Sequence, residues 1–433
     1  MSGADSFGNI FRVPELKKRI LFTLALLVVY RIGAHIPTPG INSVALAELF
    51  ARASGTILGF FDMFSGGALS RLTIFALGIM PYISSSIILQ LMTIVSPTLA
   101  RLKKEGEQGQ KKITQYTRYG TVVLSLIQGS GIAVGLEAMK SPGGGLIVHE
   151  PGWSFRMMTV LTLTAGTCFL MWLGELISEK GIGNGISLMI FAGIVASVPL
   201  SIRQLIVTFT ADQLPLIIIF FVLAIVIIAG VITVNEARRN IPVSYAKRVR
   251  GGRVYGGVST FLPLNLNPAG VIPIIFALSI MLFPGMIASF MSGATAIWAI
   301  KIANLFNAFS SNTWMYGFCY FFLVVLFTYF YTAVTFNPDN IANNLQKQGG
   351  FVPGIRPGKP TAAHLHYILN RTLLIGALFL GTIAVLPSII QGATGIGAFT
   401  FLIGGTSILI VVSVVLETIR QIEAQLVMRE YEG

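Results

Sequence analysis

Apolar stretches of about 18–22 residues recur along the whole chain, and each is long enough to cross a hydrocarbon core of roughly 30 Å. Only 11% of the residues are charged, whereas soluble domains carry roughly 25%. Because water does not solvate a surface this poor in charge, we expect an all-α polytopic membrane protein in a lipid bilayer. The net charge of +13 lies mainly in the loops, so it does not indicate a nucleic-acid-binding face.

The apolar stretches predict ten transmembrane helices, divided into an N-terminal half (1–203) and a C-terminal half (204–433). Because each half holds an odd number of spans, the second half is expected to be inverted relative to the first. Inverted repeats usually place a transport pathway at their interface. The predicted spans are 20–36, 72–94, 119–138, 157–176, 184–202, 214–234, 269–290, 314–335, 368–388 and 399–419.

The basic residues predict the orientation of these spans, because Lys and Arg are retained on the cytosolic side of a membrane. With the N-terminus inside, 23 of the 30 basic residues fall in or beside cytosolic segments. The opposite orientation would reverse that ratio. An even number of spans then places the C-terminus in the cytoplasm as well.

The spans lack the groups that several function classes need. No Asp, Glu or Lys lies near a predicted midplane, which argues against an ion-coupled transporter. No GxxxxGK[ST] loop is present, so the chain hydrolyses no nucleotide by that route and a partner must supply the energy. The four histidines lie at span edges or in loops, and Cys168 and Cys319 fall in apolar stretches. We therefore expect no enzyme, no cofactor and no metal.

One stretch, 54–71, is too short and too polar to span a membrane, since it carries Asp62, Arg71 and four glycines. Irregular backbone at membrane depth is tolerated only where protein buries it or where it lines an aqueous cavity. Two interpretations remain open from the residues alone. The stretch is either an amphipathic loop outside the membrane or a short helix folded back into a cavity.

Two long loops, 235–268 and 336–367, are predicted to be cytosolic. In the first, β-prone arms flank Gly251-Gly252 and predict a hairpin with Arg250 and Arg253 beside its tip. Such a hairpin could dock RNA phosphates or an acidic protein surface, or its charges could serve topology alone. In the second loop, prolines and glycines around Arg356 predict a compact turn that holds this residue in place. A solvated topology signal is the alternative for Arg356.

Eight segments, in the family's order, resemble the bacterial SecY family, and the resemblance covers the chain from about residue 12 to its end. One short motif would be weak evidence, whereas eight in the family's order are strong evidence. The segments are Phe64-Ser-Gly-Gly-Ala-Leu-Ser-Arg, Ile74-Phe-Ala-Leu-Gly-Ile-Met-Pro-Tyr-Ile-Ser, Lys104-Glu-Gly-Glu, Gln115-Tyr-Thr-Arg-Tyr-Gly, Gly181-Ile-Gly-Asn-Gly-Ile-Ser, Ala269-Gly-Val-Ile-Pro, Phe351-Val-Pro-Gly-Ile-Arg-Pro-Gly and Gly404-Gly-Thr-Ser.

The resemblance implies an inner-membrane channel for unfolded secretory and membrane polypeptides, clamped between two five-helix halves. It implies SecE and SecG as membrane subunits, and the SecA ATPase or a translating ribosome as the driving partner. Spans 2 and 3 against 7 and 8 would form a lateral gate for signal sequences and membrane helices. The break at about 57–70 would be a plug that closes the channel, with Phe60, Phe61, Asp62, Met63, Phe64, Ser65, Gly66 and Gly67 at its centre.

The family's constriction is a ring of aliphatic side chains, and the matching motifs place it on six isoleucines. They are Ile79 and Ile83 in span 2, Ile186 and Ile190 in span 5, Ile275 in span 7 and Ile410 in span 10. Both pairs have i,i+4 spacing, which puts each pair on one helix face. A narrow apolar ring dewets and stops ions, while branched side chains close around a peptide of any sequence.

The family's important loop arginine corresponds to Arg356, which the resemblance makes a partner-docking residue. The hairpin differs from the family pattern, because Gly251-Gly252 separates Arg250 from Arg253. The resemblance therefore leaves open which of these two arginines docks the partner. Two other functions remain as alternatives. One is an inverted-repeat secondary transporter for small solutes, and the other is an insertase or scaffold without a continuous pore.

Overall fold

The structure is a computed structural model of the chain. It describes residues 13–52, 62, 65–138, 147–207, 214–245, 248–250, 253–255, 259–291, 297–394 and 405–430. Helices dominate these residues, and the strands are confined to the two long loops. The helices are α1 (Pro14–Gly33), α2 (Ser43–Arg52), α3 (Met80–Val95), α4 (Pro97–Lys104), α5 (Glu107–Ala138), α6 (Trp153–Lys180), α7 (Gly185–Val207), α8 (Leu214–Glu236), α9 (Ile272–Met291), α10 (Ile297–Ser311), α11 (Thr313–Thr335), α12 (Pro338–Lys347), α13 (Lys359–Thr394) and α14 (Gly405–Glu430).

Each of the ten predicted spans overlaps one described helix, in the order α1, α3, α5, α6, α7, α8, α9, α11, α13 and α14. Several helices are longer than the predicted spans. The 36 residues of α13 would extend about 54 Å, well beyond a hydrocarbon core of roughly 30 Å. The apolar stretch therefore located each helix but not its polar ends, which continue into the flanking loops.

The second predicted span, 72–94, begins too early. Residues 72–79 form turns, and α3 begins at Met80 with Pro81 in its first turn. Proline suits this position because its missing N–H would have no helical partner there and its φ is already helical. Gly78, at φ +58°, interrupts regular helix just before this start. Helix α3 then ends at a bend of 100° into α4.

When the described helices are tested for sufficient length and hydropathy, fewer than ten qualify as membrane-spanning. In the described residues, four helical segments pass both tests, and they correspond to α5, α6, α11 together with α12, and α13. The bent pair α3–α4 would make a fifth if it counts as one span. Shorter apolar helical segments lie in α7, α8 and α9. The protein is thus a multi-pass membrane protein with several apolar helices.

The helices pack mainly against partners from the same predicted half. In the first half, α5 packs against α3 and α6, α6 packs against α7, and α1 contacts α6 and α7. In the second half, α11 packs against α9 and α13, while α14 packs against α8 and α13. Between the halves, α9 contacts α3 and α5, and α14 contacts α7. The first half of the predicted lateral gate, α3 and α5, therefore lies against α9.

The two long loops fold together into one unit. The strands are β1 (Arg238–Tyr245), β2 (Arg248–Arg250), β3 (Arg253–Tyr255), β4 (Ser259–Asn265) and β5 (Gly350–Phe351). The first loop supplies β1 and β4, which pair antiparallel, and the second loop adds β5 to the other edge of β1. A small apolar core that includes Ile241, Leu264, Val352 and Leu365 lies under this sheet. The sequence predicted two separate loops and missed their joint folding.

Candidate functional site

The six isoleucines that the sequence predicts as a ring belong to one large apolar cluster, to which α1, α6, α8, α11 and α13 also contribute side chains. Five of them are buried, with at most 8% of the residue exposed, and Ile186 is partly buried against the same cluster. Ile79 lies just before the first residue of α3, and the N–H of Ile83 donates to its carbonyl oxygen at 3.2 Å. The predicted one-turn spacing of this pair therefore persists although Ile79 precedes the helix.

Two ring residues from different helices meet at a small cavity. Ile79 and Ile190 both line it, together with Tyr30, Gly78, Leu170 and Met189. Its volume of about 10 Å³ is near the smallest that admits a single water molecule. The apolar contact between the start of α3 and the middle of α7 is therefore nearly closed at this point.

The predicted plug residues are only partly covered by the structure. Phe60, Phe61, Met63 and Phe64 lie outside the described residues, whereas Asp62, Ser65, Gly66 and Gly67 are described. The Gly67 N–H donates to the Asp62 carbonyl oxygen at 2.7 Å, and the Ser70 N–H donates to Asp62 Oδ1 at 2.6 Å. Asp62 thus accepts hydrogen bonds inside a tight turn.

Sequence reasoning missed two residues of α1 that contact this turn. The guanidinium of Arg31 donates from Nη1 to the Gly66 carbonyl oxygen at 3.0 Å, and the Tyr30 hydroxyl donates to the Ser65 carbonyl oxygen at 3.3 Å. The available signal was an arginine beside a tyrosine at the end of an apolar span, where a charge needs a partner. That signal does not identify which partner it has.

The predicted arginine hairpin is present as the pair β2–β3. Arg250 and Arg253 are directly opposite each other in the antiparallel register, as a two-residue connection requires. The connection itself, Gly251-Gly252, lies outside the described residues. The register therefore supports the hairpin and places both arginines next to its tip.

Arg356 lies in a compact turn, as predicted. Its side chain is exposed, while its carbonyl oxygen accepts a hydrogen bond from the Thr361 hydroxyl at 2.8 Å. Just before it, the Ile355 N–H donates to the Val352 carbonyl oxygen at 3.0 Å, and Val352 is buried in the small loop core. The backbone of Arg356 is thus fixed close to β5, which pairs with β1, while the hairpin β2–β3 forms a separate two-stranded sheet.

A polar network that the sequence did not predict joins this loop unit to the helices. The Asn267 side chain donates to Asn235 Oδ1 at 3.0 Å, and the Asn235 side chain donates to the Ser413 hydroxyl at 2.8 Å. These residues lie at the end of α8, before the start of α9 and within α14. The network therefore ties the chain just after β4 to α8 and α14, and α14 carries the ring residue Ile410.

Solved structures share this architecture. A structure described as a protein-conducting channel matches with a TM-score of 0.65 and 17% identity, covering 94% of this chain and 92% of that chain. Sec61 in the canine ribosome–channel complex matches with a TM-score of 0.62 and 16% identity over the same shares of the two chains. At such identities the likeness establishes the fold.

Sequence relatives extend over nearly the full length. The protein translocase subunit SecY of Escherichia coli strain K12 is 48% identical over 421 residues, covering 97% of this chain and 94% of the relative. The subunit of the same name from Streptomyces coelicolor is 47% identical over 436 residues, covering 99% of each chain. A sequence model of SecY matches residues 73–419. The chain therefore belongs to the SecY family.

Proposed function

We propose that the six isoleucines form the constriction of this protein-conducting channel, through which unfolded polypeptides cross the membrane. The observation that supports the proposal is the small cavity at which Ile79, just before α3, meets Ile190 of α7. All six isoleucines belong to one large apolar cluster, to which helices of both predicted halves contribute. A narrow apolar constriction dewets and so resists ions. Branched aliphatic side chains offer no hydrogen bond to any particular substrate, so they tolerate every sequence that passes.

We infer that the chain crosses the membrane ten times, as two inverted five-helix halves. The packing supports this division, since most helix contacts stay within residues 1–203 or within 204–433. The lateral gate is assigned to α3 and α5 against α9 and α11. Contacts of α9 with both α3 and α5 support that assignment, because parting these helices would open a path from the constriction to lipid.

We assign the plug to residues of about 57–70. The described part of this stretch supports the assignment through its position. Gly66 lies against α1 and α7, and a Cβ built on it would come within 3.0 Å of the Gly193 Cα in α7. Gly193 lies close along α7 to Ile190, which belongs to the constriction. A segment in this position can block the channel and would leave when a polypeptide enters.

The energy for transport is assigned to partners on the cytosolic face. Two matched structures are described as ribosome-bound, one of canine Sec61 and one of the yeast Ssh1 complex, which supports a ribosome as one partner. We propose SecA as the second, and SecE and SecG as membrane subunits. Arg356 and the hairpin arginines Arg250 and Arg253 are the proposed docking residues, because all three belong to the two loops predicted to be cytosolic, which pair with each other through β1 and β5.

We place the protein in the inner membrane with both termini in the cytoplasm, on the distribution of basic residues. The alternative of a small-solute transporter finds no support among the relatives, which are named protein translocase subunits. Its usual requirement is an ionisable group inside the membrane. Glu175, one of the two acidic residues nearest to a predicted span, instead forms an ion pair with Arg118 at 2.8 Å.

The proposal is tested by reconstituting the chain with SecE in vesicles and adding SecA, ATP and an unfolded secretory polypeptide. We expect the polypeptide to become protected from external protease only when SecA and ATP are both present. Vesicles with SecE alone are the control. Absence of protection, together with saturable uptake of a small solute by the purified chain, would contradict the proposal.

A further inference from the structure

Asn235, the last residue but one of α8, is bonded to three other parts of the chain. Its side chain accepts from the Asn267 side chain and donates to the Ser413 hydroxyl, at the distances given above. Its carbonyl oxygen accepts from Nη2 of Arg420 at 3.1 Å. Because Ser413 and Arg420 lie about two helical turns apart on α14, Asn235 holds this helix at two points.

Asn267 extends the network to the start of α9. Besides its bond to Asn235, its side-chain amide donates to the Gly270 carbonyl oxygen at 3.2 Å. This second acceptor fixes the orientation of the amide, because turning it over would set its oxygen against the Gly270 carbonyl oxygen. Helix α9 begins at Ile272. Asn267 therefore holds the chain at the point where this helix begins.

Both anchor points lie near ring isoleucines. On α14, Ser413 follows Ile410 by three residues, so the two side chains share one face of the helix. At the start of α9, the Ile275 N–H donates to the carbonyl oxygen of Val271, the residue after Gly270, at 3.3 Å. Each anchor point is thus within about one and a half helical turns of a ring residue.

The two helices that this network joins have different main packing partners. Helix α9 packs against α3, α5, α10 and α11, whereas α14 packs against α7, α8 and α13. The first predicted half therefore contacts α9 through the proposed gate helices and contacts α14 through α7. The Asn235 side chain supplies a direct polar connection between two helices that packing holds in different surroundings.

The network is also attached to the sheet of the long loops. The Leu266 N–H donates to the Ala237 carbonyl oxygen at 2.9 Å, which continues the pairing of β1 with β4 up to the end of α8. Strand β5 pairs with β1 and leads into the turn of Arg356. Hydrogen-bonded ladders and rigid elements of this kind can carry energetic coupling between distant sites.

We propose that Asn235 is a positioning residue for polypeptide transport. It joins α9 and α14 to each other and to the end of β4, so that a displacement of the sheet by a docked partner reaches Ile275 and Ile410 together. Asn267 and Ser413 are the two partners through which its side chain acts. This inference rests on the proposed constriction and the proposed docking face.

The test measures the polypeptide that becomes protected from protease for each ATP that SecA hydrolyses, in vesicles that contain the chain and SecE. Asn235→Ala removes both side-chain bonds but keeps the carbonyl oxygen that accepts from Arg420. We expect this yield per ATP to fall on the order of fivefold, because the net contribution of one hydrogen bond changes an equilibrium by about that factor. The Kd of SecA should stay the same, since the docking arginines are unchanged.

Three further variants distinguish positioning from damage to the fold. Asn235→Asp keeps both bonds, because a carboxylate accepts from Asn267 and from the Ser413 hydroxyl, so it should restore most of the yield per ATP. Ser413→Ala should lower the yield less than Asn235→Ala, and adding it to Asn235→Ala should lower the yield no further. Asn343→Ala, at an exposed position of α12, is the matched control and should leave the yield unchanged.

Two results would overturn this role of Asn235. One is an unchanged yield per ATP in Asn235→Ala, including the case in which ATP hydrolysis and transport fall in proportion, as a smaller number of folded channels would produce. The other is a further, additive loss when Ser413→Ala is combined with Asn235→Ala. Failure of the proposed function gives a different result, because the unchanged chain itself would then show no protection that depends on SecA and ATP.

Discussion

Vesicles that contain the double variant Ile83→Asn and Ile190→Asn are expected to leak ions at rest at least about tenfold faster than vesicles with the unchanged chain. Both residues are buried, with 6% and 2% exposed, and both are among the six isoleucines assigned to the constriction. An amide without a partner in an apolar site costs roughly 1–3 kcal/mol, and hydration relieves that cost. Water drawn to the two amides would end the dewetting that resists ions.

The measurement is the efflux of a trapped ion or small fluorescent dye without any partner protein. Two controls distinguish a wet constriction from a damaged fold. Ile83→Val with Ile190→Val keeps the constriction apolar and should not leak. Leu163→Asn buries an amide at a position with 0% exposure in α6, in a separate apolar cluster, and should not leak either. Equal efflux from the double asparagine variant and the unchanged chain would remove these residues from the constriction.

Arg356→Glu is expected to lower SecA-driven translocation on the order of tenfold or more, while the protein remains inserted. Loss of a docking charge pair at an interface costs roughly 2–5 kcal/mol, and charge reversal adds repulsion from an acidic partner. The turn that carries Arg356 is fastened by Val352 and Thr361, so the exposed side chain can change without disturbing the core.

The control for Arg356→Glu is Lys359→Glu, three residues later and also exposed. Both variants change the predicted cytosolic charge by the same amount, so a role in topology alone predicts equal effects. Protected substrate and the salt dependence of SecA binding are the two measurements. Normal translocation by Arg356→Glu, or an equal loss in both variants, would contradict the docking role.

The helices could be located from the sequence because their signal is local. A run of about twenty apolar residues indicates a membrane-spanning helix wherever it occurs, and each of the ten predicted spans overlaps a described helix. The predicted start of the second span was wrong. Residues 72–79 continue the apolar stretch, but Gly78 and Pro81 determine the backbone conformation there. Those two residues were visible in the sequence, and their effect on φ is the physical reason that α3 begins at Met80.

The long-range contacts could not be predicted in the same way. The sequence at Gly350 and Phe351 does not indicate that these residues pair with Ser244 and Tyr245, about a hundred residues earlier in the chain. A strand of two residues is too short to show the alternation of apolar and polar side chains by which strands are recognised. The contacts of Tyr30 and Arg31 with the turn at Ser65 have the same origin, since a carbonyl acceptor has no sequence signature.

The isoleucines show the opposite case. An isoleucine in an apolar span is ordinarily lipid-facing or packed in the core, so only the family resemblance singled out these six. In the structure all six belong to one large apolar cluster that helices of both predicted halves build, and Ile79 and Ile190 line the same small cavity. Burial alone does not distinguish a constriction from a core, and function at these positions has to be measured with a polypeptide in transit.

That measurement places a photoreactive side chain at one position at a time, at Ile79, Ile190, Ile275 or Ile410, and irradiates channels holding a stalled secretory chain. The control position is Leu378 in α13, which is 45% exposed on the helix surface. The constriction predicts adducts with the stalled chain from all four isoleucine positions and none from Leu378. Adducts that are equally frequent at Leu378, or absent from the isoleucines while the chain is stalled, would contradict it.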